Sequence, residues 1–83
     1  MCTMIATITR IAGAATRGGE WVSVDEAAIG YDHATRLWSE HALRVDLLHQ
    51  GHTAVAVELD LASARALRSR LDEVIARAEA TGP

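Results

Sequence analysis

Strand-like segments separated by turns run up to Leu59, with period-two alternation clearest after His41, and apolar residues then recur at helical spacing. Residues 3–12, TMIATITRIA, are rich in β-branched side chains and predict a first strand. Ile5, Thr7, Thr9 and Ile11 fall on one face, and Met4, Ala6, Ile8 and Arg10 on the other. Both faces are mixed, so alternation alone does not select the buried one. Residues 13–19, GAATRGG, read as a turn by their glycines. A second strand is predicted over 20–31, with an alternation break near Asp25–Glu26 that suggests a bulge or bend. Gly30 marks a place where another group approaches the backbone closely. The loop 32–40, DHATRLWSE, follows.

The third strand is the clearest. His41, Leu43, Val45, Leu47 and His49 share one face, and Ala42, Arg44, Asp46 and Leu48 the other. A turn at Gln50-Gly51-His52 leads into a fourth strand over 53–59, which implies an antiparallel hairpin. Asp60 is placed to cap a helix, since its carboxylate accepts a backbone N–H and suits the positive end of the dipole. Ala64, Leu67, Leu71, Val74, Ile75 and Ala78 then form one apolar stripe. Glu73 and Arg77 are spaced for an ion pair, and Gly82-Pro83 end the helix. Strands in a run followed by one helix predict an α+β fold (ββββα), with a four-stranded antiparallel sheet and the helix lying across one face.

Eighty-three residues make a single domain, 1–83. Its core is thin: Phe is absent, and only Trp21, Trp38 and Tyr31 are aromatic. Small aliphatic side chains bury little area each, at about 25 cal/mol per Å². A domain of this size gains stability by pairing with a copy of itself, so a homodimer is expected. The net charge is −3, and Lys is absent. No basic patch favours nucleic acid. Arg65, Arg68, Arg70 and Arg77 are interleaved with Asp72, Glu73 and Glu79, as on a solvated helix face. Cys2 is the only cysteine, so an internal disulfide and a thiol-based zinc site are both excluded. As a residue near the start it is a possible nucleophile only beside an activating group. No apolar run approaches the ~20 residues of a membrane helix, and no leader is evident. These features predict a cytoplasmic protein with no membrane partner.

The densest chemistry lies between Tyr31 and His41. Tyr31, Asp32, His33, Glu40 and His41 are candidate acid–base groups for isomerisation, cyclisation or dehydration without a cofactor. The bland alternative is a polar turn at Asp32-His33. Mixed N/O ligation of a divalent ion by the same residues is a third reading, but their spacing matches no metal signature, and adjacent strand residues point to opposite sides. His41 and His49, eight residues apart, are separated by roughly 26 Å along a strand and cannot share an ion. Trp38 and Trp21 are candidate ligand-binding residues, with core or dimer-seam roles as alternatives. No phosphate loop, nucleophile elbow or dinucleotide fingerprint is present, so no cofactor is expected.

Met1-Cys2-Thr3-Met4-Ile5-Ala6-Thr7, the Tyr31-Asp32-His33 and Glu40-His41 pairs, and Glu58-Leu59-Asp60 with Ser63-Ala64-Arg65-Ala66-Leu67 resemble a small actinobacterial family of single-domain proteins of unknown function. The resemblance implies a GC-rich bacterial source and a stand-alone cytoplasmic domain. It implies no activity, and a place beside secondary-metabolite genes is consistent with it. The leading expectation is a small-molecule binding or accessory domain with a pocket at the 31–41 loop. An acid–base enzyme, a metal-binding protein and a protein adaptor are the alternatives.

Overall fold

The computed structural model describes residues 5–82. Cys2, Met4 and the first residues of the predicted strand lie outside them. Strands β1 (Ile5–Arg17), β2 (Glu20–His33), β3 (His41–His49) and β4 (His52–Leu59) precede helix α1 (Leu61–Ala80). The strands form one antiparallel sheet in the order β1-β2-β3-β4. The α+β fold expected from the alternation is therefore present.

β1 is longer than its glycines suggest. Residues 13–17 are paired with β2 instead of turning, and the connection shrinks to Gly18-Gly19. Both glycines have positive φ, 60° and 84°. That backbone suits a two-residue hairpin whose twist matches the strands. Once this turn places Arg17 opposite Glu20, the ladder carries the Gly/Ala-rich segment along, and tertiary pairing overrides its weak strand preference. The predicted irregularity near Asp25–Glu26 has its counterpart across the ladder: Arg10 faces Glu26 and Gly13 faces Val24, so β1 holds one extra residue there.

β3 and β4 are joined at Gln50-Gly51, again with both φ values positive. His52 belongs to β4, opposite His49. A second register shift between Leu47 and Leu48 leaves Ala54 as the extra residue of β4.

The core is small. Ala15, Val24, Ala27, Ala42 and Leu48 are the buried hydrophobic residues. β1 and β4 stand at opposite edges of the sheet yet touch, so the sheet curls instead of lying flat. Neither tryptophan plugs this core: Trp21 is 71% and Trp38 104% exposed.

α1 begins one residue after β4. Asp60 caps it, accepting the Ser63 N–H at 2.7 Å. Thr81 closes it, donating its hydroxyl to the Ala78 carbonyl at 2.8 Å. The expected covering of one sheet face is incomplete. The helix packs only lightly, against β3 and β4, and none of its residues is buried. The cleft between helix and sheet ends at Leu71, which is 52% exposed, and Val74 beyond it is 62% exposed. Glu73 accepts from Arg70 at 2.9 Å instead of pairing with Arg77.

Candidate functional site

Strand register decides which of the candidate side chains meet. His33 lies opposite His41 and Tyr31 opposite Leu43 on β2 and β3. Residues two apart share a face, so Tyr31, His33, His41 and Leu43 lie on one side of the sheet. The rings stack in a row: Tyr31 to His41 at 5.6 Å and 21°, and His41 to His33 at 5.2 Å and 16°. Tyr31 and His41 are half-buried and His33 is exposed.

The acids are placed by other contacts. Asp32 alternates to the opposite face, where it borders a shallow recess with Ala28, Gly30, Arg44 and Asp46. Its Oδ1 accepts the backbone N–H of His33 at 2.7 Å. Glu40 closes the loop through its backbone carbonyl, which accepts from Ala34 at 3.2 Å. Among the described residues no group of three or more His, Cys, Asp and Glu gathers as a metal site. Trp21 and Trp38 line none of the clefts described below.

The ring ladder continues into apolar surface. Ile5, Thr7, Ile29, Tyr31, Leu43 and Leu61 line an open cleft of about 360 Å³. It runs on into a second cleft of about 420 Å³ between sheet and helix, floored by Val45 and Leu59 and walled by Ala64, Leu67 and Leu71. β1, β2 and β3 supply the floor at one end and α1 the wall at the other. The result is a mostly aliphatic trough, bordered by Arg65 and Arg68 on the helix, in which Tyr31 forms the link to the two stacked imidazoles.

A different set of contacts fixes the loop. Glu58 of β4 is half-buried under residues 35–37. Its Oε2 accepts from the Thr35 N–H at 2.9 Å and hydroxyl at 2.7 Å, and its Oε1 from the N–H groups of Arg36 at 2.9 Å and Leu37 at 3.3 Å. These donors favour the charged form, the Thr35 amide most of all, and hold the carboxyl at about 2. Arg44, Glu58's cross-strand neighbour, turns to Asp46 instead, with Nε to Oδ1 at 2.6 Å and Nη2 to Oδ2 at 3.2 Å. The Arg44 hydrogen bond lowers the Asp46 pKa, and Thr53 adds a second donor at 2.8 Å. Glu58 joins the loop across more than twenty residues of chain, and no local motif announces it.

A family sequence model matches residues 1–82, almost the whole chain, under the description "Family of unknown function (DUF6295)". The chain belongs to this family. No curated protein and no solved structure matches it significantly. The DUF6295 match spans the ring ladder, the Glu58 anchor and α1 together, so every element of the trough lies within the family's extent.

Proposed function

We propose that this protein is a small-molecule binding domain whose ligand lies in the trough between sheet and helix, with a flat ring against Tyr31, His41 and His33. One observation carries the reading: an aliphatic cleft continuous with a ladder of stacked rings. Ligand sites are typically concave and mostly apolar, with a few polar groups that fix orientation. The cleft supplies area at about 25 cal/mol per Å². The imidazoles supply both donor and acceptor nitrogens. The ligand class is therefore a fused or substituted aromatic compound with a single polar substituent.

The setting proposed with it is an accessory role in bacterial secondary metabolism, in the cytoplasm, as a homodimer. An all-arginine composition supports an actinobacterial source. No helix among the described residues is long and apolar enough to cross a membrane.

Amide NMR with 2-naphthoate and 2-naphthol as probes tests the site. The expected result is saturable shifts confined to Ile29, Tyr31, Leu43 and Leu61, lost in His41→Ala. Shifts scattered over the surface, or none at millimolar probe, would end the reading. An acid–base enzyme is the second reading, favoured by the convergence of Tyr31, His41 and His33. The alternation of Asp32 to the opposite face of the sheet weakens it. A bound compound recovered chemically altered from wild type, but unaltered from His33→Ala, would turn the assignment to catalysis.

A further inference from the structure

We infer that α1 pairs antiparallel with α1 of a second copy of this chain, about a two-fold axis beside Leu71. Surface area is the first argument. A compact monomer of 8.9 kDa exposes about 4,800 Å². This chain exposes 6684 Å², an excess of about 1,900 Å² over that relation. A stable interface needs only about 800 Å² from each partner. The radius of gyration is 14.4 Å, against about 12 Å for a compact domain of this length. On α1, Leu67, Leu71, Val74 and Ile75 are each at least half exposed.

Spacing is the second argument. Ala64, Leu67, Leu71, Val74 and Ala78 are separated by three, four, three and four residues. That is the a/d spacing of the seam of a two-helix coiled coil, with Ile75 widening the apolar stripe on one side. Leu71 is its midpoint. Antiparallel pairing therefore sets Ala64 against Ala78 of the partner subunit at both ends, where small residues let the backbones approach.

Charge is the third argument, and it chooses the occupant and the direction. Residues 61–70 carry three arginines and no acid, a net +3. Residues 71–80 carry three acids against one arginine, a net −2. A helix dipole favours the opposite order, with acids early and bases late. The first turn holds no acid at all. Within one helix the Arg70–Glu73 pair and the Asp60 cap use part of this charge, but the segregation of the two halves opposes the dipole. An antiparallel copy lays each basic half along an acidic half, whereas a parallel copy sets like against like. An isologous two-fold contact satisfies both halves at once. The seam shares Ala64, Leu67 and Leu71 with the wall of the second cleft, so a partner helix closes that end of the trough; particle mass without probe tests the pairing, and probe shifts at Ile29, Tyr31 and Leu43 test the ligand reading.

Sedimentation equilibrium on the full chain at tens of micromolar is the first test. A mass twice 8.9 kDa is expected, and a monomer overturns the inference. Leu71→Asp places two carboxylates at the axis and should halve the mass while the sheet persists by circular dichroism. If that variant unfolds, crosslinking decides. In a Cys2→Ser background, Ala64→Cys and Ala78→Cys should each stay uncrosslinked alone and form a disulfide when mixed. Crosslinking of either variant with itself, or none in the mixture, refutes the antiparallel pairing.

Discussion

Gly30 offers the sharpest test of how β1 and β2 are packed. A Cβ added there meets the carbonyl oxygen of Ile5 at 2.9 Å, whereas ordinary contact begins at 3.4 Å. The shortfall is about 0.5 Å on a steep repulsive wall. Both atoms belong to backbone or sit one bond from it, so no rotamer change relieves the clash. β1 must shift, or the Ile5 end of the ladder must open. Overpacking of this kind costs about 1–3 kcal/mol. For a domain of this size each kcal/mol moves the melting temperature by about 4–8 °C. Gly30→Ala should therefore melt roughly 5–20 °C below wild type. Gly13→Ala is the matched control. Its Cβ meets only Val24 Cγ2, at 3.7 Å. With no clash, the smaller unfolded-state entropy of Ala contributes about 0.4–1 kcal/mol, a rise of about 2–8 °C. The assay is thermal unfolding by circular dichroism at fixed protomer concentration, because association raises Tm by mass action. Equal losses in the two variants, or a Gly30→Ala protein as stable as wild type, would falsify the close-approach argument.

Other outcomes follow from the same geometry. Leu48→Ala empties part of a core with few members and should cost about 2–5 kcal/mol in urea unfolding; a loss below 1 kcal/mol would show that the site collapses or is not core. Trp38 is fully exposed, so Trp38→Ala should change stability by less than about 0.5 kcal/mol, and a larger fall would mean the indole is covered in solution. Glu58 has its folded pKa lowered from 4.5 to about 2, so its contribution is complete above pH 4.5 and disappears as pH falls through about 2. Glu58→Gln should flatten that part of the acid-unfolding profile and quicken proteolysis within residues 34–40; an unchanged profile in the variant contradicts the anchor.

Much of the fold was readable from local chemistry. Period-two alternation located β3 to the residue, and Asp60 announced the helix start because its cap is made three residues away, at Ser63. The same alternation separates Asp32 from His33 and gathers His33 with His41, once their register is known. What escaped was non-local. The Gly/Ala-rich stretch 13–17 has little strand preference of its own and is held by the ladder that the Gly18-Gly19 turn starts. Glu58 looks like one more polar residue on β4 until the 34–40 loop folds back and presents three successive N–H groups to it. The helical stripe told which side of α1 is apolar, but an amphipathic pattern carries no information about what covers that side.

The light attachment of α1 has a consequence for how the molecule opens. A 20-residue helix with no buried side chain and one residue of linker to the sheet draws little cooperativity from its neighbour. In a protomer separated from its partner, the helix amides should exchange with solvent deuterium through local fraying, well below the free energy of global unfolding, while those of β2 and β3 exchange only when the whole sheet melts. Sheet and helix then behave as two foldons of unequal protection within a single polypeptide.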